Sequence, residues 1–242
     1  MIKTVIFDFG DTLVLSKNKP SDFFISYKEA LKKNKLFFNK KVINGAYKIT
    51  EAKWKSLTEK EKQKLGLFEQ IFVEAIGVKP SKKMCLSLAQ DYYAFRTKND
   101  SLMSNALKTL KELKKKKLIL GVITNTKTDA NYKLAKKLKI LKYFKYFLMS
   151  HKEKTIKSEL GIFYTILNKI NKNRKHKILP TECLMVGNNL NEDTAASQIG
   201  MKTAILTKRL CVNKKKPFFE PDYYINDLKE LISLIDLDKD KS

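Results

Sequence analysis

Apolar and polar positions along the chain fall into two rhythms. The first opens almost at the N-terminus, where Val5-Ile6-Phe7 forms a β-branched-rich run that stops at Asp8, with Gly10 two residues on. Such a run reads as a buried strand. From Ser16 to about Asp100 no strong strand pattern appears. Apolar spacing there predicts helices over Asp22–Lys33, around Val42–Lys55, over Glu59–Ile76 and over Ser81–Thr97, with Thr58 and Ser81 as N-caps and Gly77 as a C-terminal stop. A segment of that length does not suit a loop inside a compact domain. It is expected to be a helical insertion with its own small core of Phe23, Phe24, Phe68, Ile71, Phe72, Leu86, Leu88, Tyr92 and Phe95.

Beyond Ser104 helix and strand patterns alternate. Leu107, Leu110 and Leu113 mark one helix face, Leu118–Ile123 a buried strand, and Leu134 and Leu138 a second helix. Tyr146–Met149 reads as a short strand, followed by the helical stripe Ile162, Phe163, Ile166, Leu167 and Ile170. Cys183–Val186 is a strand, Ala195–Ile199 a helix, Thr203–Leu206 a strand, and a last strand near Tyr223–Ile225 precedes a closing helix from Asp227, with Asp238–Ser242 expected to fray. Alternating β and α predicts an α/β fold, a doubly wound, Rossmann-like parallel sheet with helices on both faces. The expected division is residues 1–15 and 101–242 for this core and 16–100 for the helical insertion.

At 242 residues and 43% hydrophobic composition, the chain can bury a substantial core. No apolar stretch reaches the roughly 18 residues of a membrane span. The N-terminus runs straight into a strand rather than a signal peptide. Cys85, Cys183 and Cys211 form no Cys-x-x-Cys pair and are expected as reduced thiols in a cytoplasmic protein. The net charge of +25 raises a nucleic-acid reading, but of 50 basic residues only Arg96, Arg174 and Arg209 are arginines. Base reading and phosphate clamping lean on arginine's planar fork. Lysines scattered over every expected helix, as in Lys114–Lys117, read as solvated faces, with no specific nucleic-acid partner. Such a field still draws in anionic substrates.

The polar residues at strand ends supply the candidate chemistry. Asp8 ends the first strand, Thr124-Asn125 ends the second, Lys157 follows the third, and Gly187-Asn188 ends the fourth, with Asp193 five residues further. In a doubly wound sheet these groups converge on one crevice. A carboxylate, a small hydroxyl, a lysine and a second carboxylate suit a phosphoryl group: one acid attacks, hydroxyl and lysine hold anionic oxygens, and both acids grip a metal. Taken singly, Thr124 equally suits a strand-end cap and Lys157 a solvated lysine. His151 and His176 read as surface residues, and Asp11 as a turn residue tolerant of an unusual backbone angle.

Four motifs in this order resemble the haloacid dehalogenase-like hydrolase superfamily. Phe7-Asp8-Phe9-Gly10-Asp11-Thr12-Leu13 resembles its nucleophile motif and Ile123-Thr124-Asn125 its second motif. Ser150 to Lys157, with Phe163 beyond, matches the serine-to-lysine spacing, Val186 to Asp193 with Ala196 resembles the metal motif, and Pro221-Asp222-Tyr223 the usual last strand. The resemblance spans the chain, and the helical insertion stands where the family carries an all-α cap. It implies Asp8 as nucleophile through an aspartyl-phosphate, Thr124, Asn125 and Lys157 at the phosphoryl group, and Mg²⁺ on Asp8, the Gly10 carbonyl, Asn188 and Asp193. It further implies a small phosphorylated metabolite as substrate, chosen by the cap and by hinges near Leu15–Ser21 and Lys98–Met103. A monomer or weak dimer is the default expectation.

Two positions depart from that pattern. Gly10 stands where the family's phosphatases carry the acid that protonates the leaving oxygen, and Asn188 where an acid helps hold the metal. Loss of a general acid costs about 10²–10⁴-fold, and an amide in place of a carboxylate weakens metal affinity. Three readings stay open. One is a slow or selective phosphatase that favours leaving groups needing little protonation, such as acyl phosphates, or borrows a proton from water or substrate. The second is a 2-haloacid dehalogenase, whose halide needs neither proton nor metal to leave. The third is a catalytically impaired binding or regulatory protein. The Asn188–Asp193 spacing favours the first over the second.

Overall fold

A computed structural model describes residues 1–17, 20–214 and 218–240. They divide into two compact units, Met1–Leu15 with Ser101–Ser242, and Ser16–Asp100. In chain order the elements are β1 (Thr4–Phe7), β2 (Val14–Leu15), α1 (Pro20–Lys33), α2 (Lys40–Ser56), α3 (Glu59–Lys62), α4 (Leu67–Ala75), α5 (Lys82–Arg96), β3 (Ser101–Leu102), α6 (Ala106–Lys115), β4 (Ile119–Thr124), α7 (Ala130–Lys137), β5 (Tyr146–Met149), α8 (Ser150–Glu153), α9 (Gly161–Asn171), β6 (Cys183–Gly187), β7 (Lys202–Leu206), β8 (Tyr223–Ile225) and α10 (Glu230–Asp240).

Six strands form one parallel sheet in the order β5-β4-β1-β6-β7-β8. Side chains alternate across it. Val5, Phe7, Leu120, Val122, Leu184 and Val186 enter one core with Ala106, Leu110 and Leu113 of α6, Leu134 of α7 and Leu231 and Ile235 of α10. Ile6, Ile123, Cys183 and Met185 enter the other with Ile162, Phe163, Ile166, Leu167 and Ile170 of α9. Burial on both faces explains why these strands read as unbroken apolar runs. β1 lies between β4 and β6, so the chain winds outward in both directions from it. The carboxyl end of β1 is therefore the switch point at which such sheets build their sites.

Several expectations shift in detail. On α6 the buried stripe is Ala106, Thr109, Leu110 and Leu113, while Leu107 is exposed. The expected helix over Ala195–Ile199 is a 3₁₀ segment, Thr194–Ile199. Asp238 is not frayed: it lies on α10, accepts the Ile2 amide at 2.6 Å and pairs with Lys202, while residues 241–242 lie outside the described residues. A two-stranded antiparallel ribbon, β2 with β3, had no signal in the sequence pattern because each strand is two residues long.

The second unit is helical. Its core gathers Tyr27, Leu31, Ile43, Ala46, Phe72, Val73 and Leu88, with Phe68 and Tyr92 packed against it. The side chains of Phe23 and Phe24, expected there, lie outside the described residues, as do residues 18–19 of the first expected hinge. Glu59–Ile76 is two helices rather than one, broken over residues 63–66, where the Gly66 φ of +85° belongs to the left-handed region. Thr58 caps α3 in a reciprocal capping box with Glu61, Ser81 caps α5, and Gly77 follows α4 at φ +80°.

Candidate active site

The Asp8 amide donates to Val186 O at 2.8 Å, so the first residue beyond β1 is still fastened to β6. The chain then turns sharply. The Leu13 and Val14 amides both donate to Phe9 O, and Asp11 takes φ +54°, the role expected of it. Phe9 and Leu13 are buried and anchor this turn in the core. Thr12 is buried too, and its hydroxyl lies 3.3 Å from Asp8 Oδ2 and 3.2 Å from Asn188 Oδ1.

Lys157 arrives from the other side of β1. After β5, Ser150 Oγ accepts the Thr126 amide at 2.9 Å and donates to Thr126 O at 3.0 Å, tying this segment to the loop beyond β4. Lys154 takes a left-handed turn, and Lys157 opens a 3₁₀ turn whose amide donates to Asn125 Oδ1 at 3.3 Å. Its ammonium lies 2.5 Å from Asp8 Oδ1 and 2.6 Å from Asp193 Oδ1. Lys157 is therefore no solvated surface lysine.

Asp193 is locked. Its Oδ1 holds Lys157, and its Oδ2 accepts the backbone amides of Asn188 and Asn189 at 3.0 and 2.9 Å. Gly187 makes this possible, because a Cβ there would stand 1.9 Å from Asp193 Oδ2. The side chains of Lys157 and Asp193 are each 1% exposed and that of Asp8 is 14% exposed. Three charges sum to one surplus negative charge, and Asp8 alone of the three presents an open face. Of the two carboxylates on Lys157, Asp8 is the one solvent reaches. Burial, reinforced by Asp193, pushes the Asp8 carboxyl up to about 6 against the pull of Lys157. For Lys157, burial opposes the charge, but Asp193, Asp8 and Glu192 outweigh it and hold its pKa above the usual lysine value.

The family profile of haloacid dehalogenase-like hydrolases matches residues 2–200. The chain belongs to that family. No curated protein sequence matches it significantly. Solved structures share the fold of this haloacid dehalogenase-like hydrolase at low identity. Magnesium-bound YfnB from Bacillus subtilis is 17% identical at a TM-score of 0.68, covering 97% of this chain and 99% of that one. A predicted phosphoglycolate phosphatase from Haemophilus somnus 129PT is 21% identical at 0.67, covering 97% and 98%. A 2-haloacid dehalogenase from Pseudomonas syringae pv. Tomato DC3000 is 19% identical at 0.70, covering 98% and 99%.

Of the residues singled out in the hydrolase's sequence, the structure brings Asp8, Lys157, Asp193 and Asn188 together. Asn125 stands one bond away, its Oδ1 on the Lys157 amide and its Nδ2 on Glu192 Oε2 at 2.9 Å. Thr124 is buried at the end of β4, where its hydroxyl oxygen accepts Asn131 Nδ2 at 2.9 Å. Among the described residues no cluster of three or more His, Cys, Asp or Glu is arranged to hold a metal. The oxygens present still suit a hard cation. Asp8 Oδ2 and Asn188 Oδ1 share one Thr12 hydroxyl, whose single proton can satisfy only one of them, which leaves a corner rich in acceptors. Asp193, expected on the metal, has its Oδ2 filled by two backbone amides, while its Oδ1 accepts Lys157 and keeps a second lone pair. Thr12 and Glu192 lie inside two of the motifs without a role assigned to them there, and Asn131, the second residue of α7, carries no signal of its own.

Proposed function

We propose that this hydrolase is a phosphatase of small phosphorylated metabolites, with Asp8 as nucleophile. The observation that carries the reading is the Asp8–Lys157–Asp193 array, in which a buried ammonium spans two carboxylates and the more open one faces outward. A carboxylate oxygen of Asp8 attacks phosphorus and displaces the leaving oxygen, giving an aspartyl-phosphate that water then hydrolyses. Lys157 keeps Asp8 ionised and oriented and meets the phosphoryl charge. The Thr124 hydroxyl, its acceptor side turned to Asn131, keeps its proton for a phosphoryl oxygen. Asp193 acts through Lys157. Asp8, Asn188 and Asp193, with the Gly10 carbonyl, would hold Mg²⁺, which when bound supplies positive charge for the phosphoryl oxygens. No helix among the described residues is long and apolar enough to cross a membrane, and the three free cysteines suit a cytoplasmic setting.

The test is phosphate release from p-nitrophenyl phosphate, acetyl phosphate and a panel of small phosphometabolites, with and without Mg²⁺ after chelation. Release that needs Mg²⁺ and vanishes in Asp8→Asn supports the reading. Release that ignores the metal removes the Mg²⁺ part, and no release above the Asp8→Asn blank removes the phosphatase. A second reading has its own support in the amide of Asn188 and the glycine at position 10, which suit a halide that departs unprotonated. Chloride released from 2-chloropropionate in the presence of chelator would favour a 2-haloacid dehalogenase.

A further inference from the structure

Each carboxyl group that neighbours Asp8 in the α/β unit already accepts a hydrogen bond on at least one oxygen. Asp193 is held by Lys157 and two backbone amides. Glu192 accepts from Asn125. Asp11 Oδ1 accepts both Nε and Nη2 of Arg209, at 3.0 and 2.8 Å. Arg209 is itself fixed by its backbone, since its carbonyl accepts Asn188 Nδ2 at 2.8 Å. Lys157 cannot give up a proton without setting Asp8 and Asp193 against each other as unpaired charges. At residue 10 there is space instead of a side chain: a Cβ built on Gly10 meets nothing within 4 Å.

Resting on the phosphatase reading, we infer that this site takes phosphoryl groups from acyl phosphates and accumulates the aspartyl-phosphate it forms. In the first step an Asp8 oxygen bonds to phosphorus and the bond from phosphorus to the acyl oxygen breaks. The electron pair leaves on a carboxylate, which is stable without a proton at neutral pH. An alkyl phosphate would release an alkoxide, which must gain a proton, and a positioned acid is worth about 10²–10⁴-fold there. In the second step water attacks phosphorus, the Asp8–phosphorus bond breaks, and the Asp8 carboxylate again leaves unprotonated. The water's proton passes to solvent or to the phosphate released, without a positioned base to take it. Substrate and intermediate are both acyl phosphates, so the first step costs little. The second lacks its base, so it lags.

The experiment mixes the full chain, with Mg²⁺, with acetyl phosphate or ethyl phosphate, and follows intact mass alongside rapid-quench acetate and phosphate release. Expected are one added phosphoryl group, one equivalent of acetate in a burst, and phosphate release at least about tenfold slower than the burst. Ethyl phosphate should react about 10²-fold more slowly than acetyl phosphate or worse. Gly10→Asp places a carboxyl in the open space. It should shorten the phosphoenzyme's lifetime and raise ethyl phosphate turnover by about 10²-fold. The Asp8→Asn protein should gain no mass. Equal rates on both phosphates with no burst would overturn the inference and leave the phosphatase standing. No phosphoenzyme and no phosphate from either compound would overturn both.

Discussion

Two glycines flank the site, and the structure predicts opposite consequences for adding one methyl group to each. At Gly187 a Cβ would stand 1.9 Å from Asp193 Oδ2, 2.1 Å from its Cγ and 2.6 Å from its Cβ. No bond-angle adjustment absorbs such overlaps, so Gly187→Ala must expel the Asp193 side chain. The carboxylate then loses two amide donors, and Lys157 keeps only Asp8 as an ionic partner. Breaking a buried ion pair from one side costs about 3–5 kcal/mol. That is a large share of the roughly 5–15 kcal/mol that holds a domain folded. At Gly10 the same methyl meets nothing within 4 Å, and φ lies outside the left-handed region. Gly10→Ala should therefore be neutral or stabilising by about 0.4–1 kcal/mol, through the unfolded chain. The assay is urea unfolding of wild type, both variants, Asp193→Ala and the Gly187→Ala/Asp193→Ala double variant. Asp193→Ala removes the two nearest obstacles, the carboxyl oxygen and carbon, and leaves only its Cβ at 2.6 Å, so the double variant should lose clearly less than the sum of the two single variants. A Gly187→Ala protein within about 1 kcal/mol of wild type, or full additivity in the double variant, would refute the packing of Asp193 against Gly187.

Three further outcomes follow from the same geometry. Asp8 titrates near 6 in the metal-free protein against an ordinary value of 3.8, so the folded state holds that proton more tightly than the unfolded chain. Its contribution to stability is full below about pH 4 and is lost as pH rises through 6; urea unfolding with chelator across this range should show that loss in wild type and not in Asp8→Asn. Asn188→Asp restores a charge to the acceptor-rich corner and should tighten Mg²⁺ by about tenfold or more, read by calorimetric titration. Asn131→Asp replaces a donor to Thr124 Oγ1 by an acceptor that captures the hydroxyl proton, so inorganic phosphate should inhibit it several-fold less well than wild type.

What the sequence made legible is what short-range periodicity encodes. The strands at Tyr146–Met149 and Tyr223–Ile225 coincide with their expected limits, and each residue of the Ile162 to Ile170 stripe is buried. Patterns that depend on one backbone angle or on a distant neighbour were not legible. An apolar rhythm continues through residues 63–66, where the helix breaks and Gly66 takes the left-handed conformation. Leu107 obeys the spacing of its helix, yet the sheet lies on the side that buries Ala106 and Thr109. The ribbon β2–β3 pairs Val14 with Leu102 and Leu15 with Ser101, separations no local pattern reports.

The candidate site divides in the same way. Motif order placed Asp8, Lys157, Asn188 and Asp193 at strand ends, and a sheet wound outward from β1 gathers strand ends by topology alone. Which oxygen each side chain spends, and on what, follows from contacts such as that between Thr12 and Asn188, 176 residues apart. Those contacts decide the chemistry. Asp193, equivalent to Asp8 in composition, accepts from Lys157 and from two backbone amides; Asp11, nearest Asp8 in sequence, accepts from Arg209. Of the two carboxylates that share Lys157, Asp8 is the more exposed, at 14% against 1%, and that difference in access, rather than composition, sets it apart from Asp193.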